Sequence, residues 1–256
     1  SMSRKMSSVP VESVTDLKTC STEMMESDMV DVNNFEMQVH GLDRRNCIAL
    51  LLGAGYATAY GAAHAAAPVK LAVVGDSLSA EYGLARGTGW VALLEKKLAA
   101  EKIAAKVVNA SISGDTTSGG RSRLAALLAA HKPTHVILEL GGNDALRGLP
   151  LSNTQDNLNA MTQAAQKAGA KVLIVGIQVP PNYGGDYTRQ FSAMFETVAK
   201  ANKAALVPFL LKGVADIADS AKLFQADRIH PNETAQSQML ANVWPTLKPL
   251  LQPLLK

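Results

Sequence analysis

A serine just after a predicted strand is the first residue in this sequence whose position suggests chemistry. Ser77 lies in the segment 75–79 (Gly-Asp-Ser-Leu-Ser), which follows the apolar run 69–74. β-Branched residues dominate that run and a glycine ends it, which predicts a buried strand. In open α/β sheets, ligands bind beyond the carboxyl ends of the strands. The Ser77 hydroxyl is therefore expected to face a substrate, although a Gly-Asp-Ser segment alone is also ordinary turn chemistry.

Two residues near the C-terminus could activate this serine. A serine hydroxyl is a weak nucleophile until a base accepts its proton during attack. His230 suits that role because an imidazole takes up and releases a proton near neutral pH. Asp227, three residues earlier, could accept a hydrogen bond from the other imidazole nitrogen and fix the tautomer. No role is assigned to the remaining histidines, His40, His64, His131 and His135.

Two further stretches fall where predicted strands end, and they could stabilise the oxyanion of an acyl-transfer intermediate. Gly114, in the segment 109–116, could offer a backbone N–H with no side chain in the way. Asn143, in the segment 141–144 (Gly-Gly-Asn-Asp), could offer its side-chain amide. One such donor typically contributes about 2.7–4 kcal/mol to transition-state stabilisation. Taken singly, Gly114 is also typical of a turn and Asn143 of a loop.

Asp76 and Asp144 could instead form a metal pair, but each is better explained as tying down its own loop. No histidine or cysteine cluster accompanies them, so no metal is expected. The serine chemistry described above requires no cofactor. The two cysteines, Cys20 and Cys47, both precede the first predicted strand. The folded part is therefore expected to use no cysteine catalysis, disulfide framework or Cys-type zinc site.

Composition and charge indicate a globular protein that does not bind nucleic acid. The chain has 256 residues, of which 47% are hydrophobic and 18% charged, so a substantial core is possible. The formal net charge of +3 is small, and no stripe of basic residues is interleaved with aromatic ones.

Strands and helices alternate from residue 69 onward. This pattern predicts a parallel sheet covered on both faces, in one domain. The expected strands are 69–74, 105–110, 134–140, 171–179 and 204–210. The expected helices are 90–100, 121–130, 152–168 (capped by Ser152), 187–201 and 234–247.

The first 65 residues are expected to lie outside this domain. Residues 1–36 show little hydrophobic periodicity and are interpreted as an unstructured extension, either a cloning scar or a misassigned start. Residues 37–65 resemble an export signal, with Arg44-Arg45 followed by the apolar run 47–60 and by Ala63-His64-Ala65, a small-x-small cleavage pattern. The alternative is a membrane anchor, but the run is short of about 20 strongly apolar residues. The domain of alternating strands and helices is then 66–256.

Taken together and in order, these blocks resemble the SGNH (GDSL) hydrolase superfamily. They are segment 75–79, Gly114, segment 141–144 and the Asp227-x-x-His230 pair. Segments 109–115, 139–148 and 229–232 are similar to its bacterial periplasmic branch of acyl-CoA thioesterase/lysophospholipase/protease I-like esterases and arylesterases. The resemblance spans residues 69 to about 251. It implies a three-layer α/β/α flavodoxin-like sandwich with a five-stranded parallel sheet.

The resemblance also implies roles for single residues. Ser77 would be the nucleophile, His230 the general base and Asp227 its orienting partner. The oxyanion hole would consist of the backbone N–H groups of Ser77 and Gly114 and the side chain of Asn143. The loop 179–187 would border the acyl pocket and be able to move.

The expected function is that of an exported serine esterase, thioesterase or lysophospholipase, periplasmic or secreted. Its partner would be a small acyl ester or thioester, with no stable membrane anchor and a monomeric state. One alternative keeps the fold and the catalytic residues but acts on an acetylated carbohydrate or peptidoglycan. A remoter alternative is a flavodoxin-like binding protein; the absence of phosphate-binding glycine motifs after the first strand disfavours it.

Overall fold

The computed structural model of the protein describes residues 69–251. The predictions for 1–36 and 37–65 lie outside the described residues. The strands are β1 (Val69–Gly75), β2 (Ala105–Asn109), β3 (His135–Glu139), β4 (Lys171–Val175) and β5 (Ala205–Val207). The helices are α1 (Trp90–Ala100), α2 (Thr117–His131), α3 (Gly142–Leu146), α4 (Leu151–Lys167), α5 (Gly185–Ala201) and α6 (Gln236–Leu251). Short 3₁₀ turns occupy Pro181–Tyr183, Ser220–Leu223 and Glu233–Ala235.

All five strands are parallel, in the order β2-β1-β3-β4-β5. The chain first moves from β1 outward to β2 and then crosses back to β3, so the gap between β1 and β3 is the topological switch point of the sheet. Ligand sites in open α/β sheets form at such points. The loop after β1 carries Ser77, and the loop after β3 carries Asn143, so the topology places both at this point.

The sheet is buried on both faces. Seven apolar residues of β1 and β3 have no exposed surface, namely Leu71, Ala72, Val73, Val74, Val136, Ile137 and Leu138. Helices α2, α4 and α5 pack side by side, and α1 packs against α6. The connection from β1 to β2 runs one way along the sheet, and the later connections run the opposite way. Because such connections are right-handed, the two groups of helices cover opposite faces of the sheet. The predicted three-layer sandwich with a five-stranded parallel sheet is confirmed.

Several element boundaries differ from the predicted ones for local reasons. Helix α2 begins at Thr117 and not at residue 121, because the Thr116 hydroxyl accepts the Gly119 N–H at 3.2 Å and caps it. Strand β5 ends at Val207, since Pro208 has no N–H to continue the ladder. Strand β4 ends at Val175, four residues before the predicted end.

The predicted serine cap of α4 is wrong. The helix begins at Leu151, and the Pro150 carbonyl accepts the backbone N–H groups of Asn153 at 3.1 Å and Thr154 at 3.3 Å. Ser152 therefore lies inside the first turn, where its side chain caps nothing. The C-terminal helix is also displaced, from 234–247 to Gln236–Leu251, because the preceding 3₁₀ turn occupies Glu233–Ala235.

Within residues 69–251, no helix combines the length and apolarity that crossing a membrane requires.

Candidate active site

Ser77 lies on a tight turn immediately after β1. The Asp76 carbonyl accepts the N–H groups of Ser79 at 3.2 Å and Ala80 at 3.0 Å, and the Asp76 carboxylate accepts that of Leu78 at 3.0 Å. These bonds fix the turn on both sides of the serine. Among the described residues, no protein acceptor receives the Ser77 backbone N–H. The hydroxyl and this N–H are therefore both available to a ligand.

The structure brings Ser77, His230 and Asp227 into one hydrogen-bonded chain. His230 Nε2 lies 2.9 Å from Ser77 Oγ, and His230 Nδ1 lies 2.6 Å from Asp227 Oδ2. A carboxylate can only accept, so Nδ1 carries the proton and Nε2 is left as an acceptor for the serine hydroxyl. This is the tautomer that a general base for Ser77 needs.

Asp227 is held as a carboxylate by a local turn. Its Oδ1 accepts the backbone N–H groups of Ile229 at 2.9 Å and His230 at 3.0 Å. The backbone hydrogen bond from His230, followed by the one from its side chain, lowers the pKa of Asp227 to about 2. The turn is possible because Arg228 adopts a left-handed conformation with φ of 58°. Asp227 therefore stays ionised at neutral pH.

Two neighbours support the His230 loop, and the sequence did not reveal either. The ring of Tyr82 lies 4.3 Å from the imidazole, centroid to centroid, and is tilted by 39°. The Gln225 backbone N–H donates to the His230 carbonyl at 2.8 Å, and its side chain donates to the Tyr82 carbonyl at 2.8 Å. Gln225 thus joins the loop after β1 to the loop that carries the histidine.

The other two predicted donors lie in the same cleft and are each held by a charged neighbour. Asn143 Nδ2 donates one hydrogen to Asp76 Oδ2 at 3.0 Å, which leaves its second hydrogen for a ligand. Gly114 has φ of 79°, and its carbonyl accepts from Arg147 Nη2 at 2.7 Å. Its backbone N–H, like that of Ser77, donates to no acceptor in the described part of the chain.

Asp76 and Asp144 have separate structural partners. The Asp144 carboxylate accepts the Thr117 backbone N–H at 2.8 Å and hydroxyl at 2.5 Å, and the Thr154 hydroxyl at 3.3 Å. Asp144 therefore connects α3 to the starts of α2 and α4. The prediction that it stabilises its own loop is wrong. Asp76 does tie its own turn, through Leu78. Residues 69–251 contain no group of three or more His, Cys, Asp or Glu side chains that could hold a metal ion.

Behind the Ser77 turn lies a fully buried carboxyl group, Glu139. The pairing of Gly75 with Glu139 in the sheet brings it there. Glu139 Oε2 accepts the Ser79 hydroxyl at 2.7 Å, and Ser79 Oγ in turn accepts Trp90 Nε1–H at 3.2 Å. Burial, and then the charge of Asp76, raise the pKa of Glu139 well above its ordinary value. Burial likewise raises the pKa of Asp76 to about 6.

We expect Glu139→Gln to flatten the pH dependence of stability. A carboxyl group whose pKa is higher in the folded than in the unfolded state contributes to the free energy of unfolding. That contribution is complete at pH values below the unfolded-state pKa, and it is lost as the pH rises through the folded-state pKa. Glutamine keeps an acceptor for Ser79 but does not titrate. Between about pH 5 and about pH 8, calorimetric Tm values should therefore decline less in the variant than in the wild type. The exposed Glu196→Gln is the control, and equal slopes in all three proteins would contradict the prediction.

The cleft above Ser77 has a volume of about 720 Å³ and runs along the carboxyl edge of the sheet. His230, Gly114 and Asn143 line it together with Ser77. Much of the remaining wall is apolar and includes Leu78, Leu146, Ile177, Val179, Leu211 and Phe224. Val179, Pro180 and Tyr183 of the loop 179–187 border it, as expected; the mobility of that loop stays a prediction.

The described histidines without an assigned role lie at the opposite edge of the sheet or near it. His135 begins β3, is 2% exposed and contacts the Leu250 carbonyl through Nε2 at 3.0 Å. Burial lowers its pKa. His131 ends α2. Both are therefore far from the carboxyl edge, and His135 is explained by its packing.

A serine linked through histidine to aspartate, at the carboxyl edge of a parallel sheet and beside free N–H donors, defines an α/β enzyme of the hydrolase class. Residues 73–237 match the GDSL-like Lipase/Acylhydrolase family. The chain belongs to this family and is an ester-hydrolysing enzyme. The superfamily predicted from the sequence is thereby confirmed.

Similar proteins each match more than two thirds of the chain. Esterase TesA of Pseudomonas aeruginosa is 56% identical over 186 residues, which are 73% of this chain and 91% of the relative. Thioesterase 1/protease 1/lysophospholipase L1 of Escherichia coli is 40% identical over 187 residues, 73% of this chain and 87% of the relative. A crystal structure of TesA, 56% identical, superposes with a TM-score of 0.68 and covers 71% of this chain and 99% of its own.

Proposed function

We propose that the protein hydrolyses acyl esters and thioesters, lysophospholipids among them, through an acyl-enzyme on Ser77. One observation carries the proposal: Ser77 Oγ lies 2.9 Å from His230 Nε2 at the floor of a largely apolar cleft. The hydrogen-bonded pair supplies the nucleophile and its base, and the apolar wall suits an acyl chain. Relatives named as an esterase and as a thioesterase and lysophospholipase support this substrate class.

In the first half-reaction, Ser77 Oγ attacks the carbonyl carbon while its proton moves to His230 Nε2. The resulting imidazolium is stabilised by the Asp227 carboxylate 2.6 Å from Nδ1. Collapse of the tetrahedral intermediate breaks the bond to the alcohol or thiol, which leaves with the proton from Nε2. The acyl group then remains as an ester on Ser77.

In the second half-reaction, water replaces the departed alcohol or thiol. His230 accepts a proton from that water as it attacks the acyl-enzyme carbonyl, and then returns it to Ser77 Oγ as the carboxylic acid departs. The enzyme is regenerated without any cofactor, since every proton moves between Ser77, His230, water and the leaving group.

We propose that Ser77 N–H, Gly114 N–H and Asn143 Nδ2–H bind the oxyanion in both half-reactions. Asn143→Ala is expected to lower kcat by about 10²–10³-fold with little change in KM, because such a donor acts mainly in the transition state. Steady-state kinetics on a soluble ester measure this. The exposed Asn153→Ala on α4 is the control. A loss confined to KM would assign Asn143 to substrate binding instead.

The proposed function is tested by hydrolysis of p-nitrophenyl esters from acetate to palmitate. We expect activity to peak at chains longer than acetate, with a burst of p-nitrophenol equal to the enzyme concentration where deacylation limits the rate. Mass spectrometry of the quenched burst should find the acyl group on the Ser77 peptide. Activity on acetate alone would favour the carbohydrate or peptidoglycan O-acetyl esterase. No ester turnover by folded protein would refute the proposal.

We propose that residues 37–65 direct export and that the mature enzyme acts in the periplasm or outside the cell. The support is the sequence pattern of Arg44-Arg45, the apolar run 47–60 and the small residues at 63–65. Expression in a Gram-negative host should yield periplasmic protein whose N-terminal sequence begins at Ala66. Recovery of the uncleaved chain in the cytoplasm would contradict this. A monomeric state stays a prediction.

A further inference from the structure

The described part of the chain exposes several large apolar side chains at the carboxyl edge of the sheet, where the cleft lies. Within residues 69–251, the exposed large hydrophobic residues are Tyr82, Ile112, Leu146, Ile217 and Ile229, with 42% to 55% of each side chain accessible. We call these five residues the apolar rim. Each follows the carboxyl end of a strand or belongs to the His230 loop. Such a concentration of exposed apolar surface marks an interaction site.

A single substrate molecule in the cleft does not account for the whole rim. Tyr82, Leu146 and Ile229 line the cleft, but Ile112 and Ile217 do not. Ile112 follows β2 and Ile217 follows β5, the two outer strands of the sheet. Four strand spacings of about 4.8 Å separate those strands, which makes about 19 Å. An acyl chain bound in the cleft leaves both isoleucines in water, whereas a broad surface across the carboxyl edge could cover them.

Charge beside the rim indicates what that surface is made of. Exposed arginines directly adjoin two rim residues in the chain, as Leu146-Arg147 and Arg228-Ile229. Neither arginine pairs with a carboxylate in the described part of the chain. Apolar side chains beside cations suit an anionic lipid interface. The apolar side chains enter the acyl region, and the cations bind the lipid phosphates. Two acidic residues also adjoin rim residues in the chain, Asp216 next to Ile217 and Glu81 next to Tyr82. Both carboxylates accept backbone N–H groups, Asp216 from Gly213 and Glu81 from Gly87 and Gly89.

The position of the cleft distinguishes a lipid surface from a protein partner. Three rim residues, Tyr82, Leu146 and Ile229, line the cleft that contains Ser77, so a protein seated on the rim would cover that cleft. A lipid surface in the same place would instead present acyl substrates to the cleft. This step rests on the proposed function as an acyl hydrolase.

We propose that the apolar rim, with Arg147 and Arg228, docks the enzyme on anionic phospholipid surfaces with the cleft facing the lipid. Docking would keep the enzyme at the source of its acyl substrates. It would also explain why Ile112 and Ile217 are exposed although the cleft does not use them.

Docking can be separated from turnover by using the full chain with Ser77→Ala, which cannot digest the vesicles. We expect this protein to co-sediment with phosphatidylcholine vesicles that contain phosphatidylglycerol, and less with phosphatidylcholine alone. Adding Ile112→Ser and Ile217→Ser should weaken binding at least tenfold. Arg228→Gln should also weaken vesicle binding. Lys70→Gln is the control and should not weaken it, because Lys70 is an exposed cation near the start of β1, at the amino edge of the sheet.

A local reporter keeps the result independent of residues 1–68, which could contribute their own vesicle binding. With Ile112→Trp, tryptophan emission should shift to the blue when anionic vesicles are added. The matched Lys70→Trp should not respond. The native tryptophans, among them Trp90 with no exposed surface, are the same in both proteins.

The outcomes distinguish the docking proposal from the proposed function. With Ser77 restored, the Ile112→Ser/Ile217→Ser protein should hydrolyse a short soluble ester at the wild-type rate. A missing blue shift, or vesicle binding unchanged by the double substitution, would overturn docking even if esters are hydrolysed. Rim-dependent self-association without lipid binding would overturn it too, and would identify a second copy as the occupant. Rim-dependent lipid binding without ester turnover would refute the proposed function and leave docking intact.

Discussion

Replacing Ser77 by alanine is expected to lower kcat for a p-nitrophenyl ester by about 10⁶-fold, the loss typical of a serine hydrolase without its nucleophile. The change removes the single oxygen that lies 2.9 Å from His230 Nε2. No acyl-enzyme can then form, and only activation of water beside the oxyanion donors remains. Because Ser77 is only partly buried in the cleft, water can take the place of its hydroxyl beside His230. Tm should therefore change by no more than about 2 °C.

Ser113→Ala is the matched control, since Ser113 lines the same cleft but makes no hydrogen bond to His230. Its kcat should stay within about threefold of the wild type, as expected for a residue outside the reacting groups. Circular dichroism and Tm establish that all three proteins are folded. If folded Ser77→Ala kept a hundredth or more of the wild-type kcat, Ser77 could not be the nucleophile.

The strand pattern made the fold predictable because the strands of a parallel sheet are buried on both faces. Runs such as 69–74 contain β-branched residues without polar alternation, and strand ends could be located where this pattern stops, at a glycine in the first and third strands. Those ends also located Ser77, Gly114 and Asn143, since parallel strands bring all their carboxyl ends to one edge. The short helix α3 was not predicted, because Gly-Asn-Asp is typical of loops.

The residues that support the site could not be predicted, because their roles depend on contacts between distant segments. Glu139 lies behind the Ser77 turn only because its strand pairs in register with Gly75. Tyr82 contacts the His230 ring and accepts from the Gln225 side chain, although its loop is far from theirs in sequence. Arg147 reaches the Gly114 carbonyl from the end of α3, a helix the sequence did not reveal. Sequence spacing carries no information about such pairs.

Asp227→Asn is expected to lower kcat by about 10⁴-fold, although it changes one atom and preserves the shape of the side chain. Asp227 Oδ1 accepts two backbone N–H groups, from Ile229 and His230, while Oδ2 faces His230 Nδ1. An asparagine must keep its oxygen toward the two backbone donors, so its NH₂ group takes the position of Oδ2. That group donates to Nδ1, which obliges the imidazole to carry its proton on Nε2.

In this tautomer Nε2 donates to Ser77 Oγ and can no longer accept its proton, so the base is lost although every hydrogen bond is kept. Steady-state kinetics with Asp227→Ala as the comparison separate this effect from a loss of packing. Alanine leaves the imidazole free to choose either tautomer, so Asp227→Asn should be at least as impaired as Asp227→Ala despite its closer shape. An asparagine variant with near wild-type kcat would mean that Asp227 does not set the tautomer of His230. The catalytic role of the Asp227 charge would then have to be abandoned.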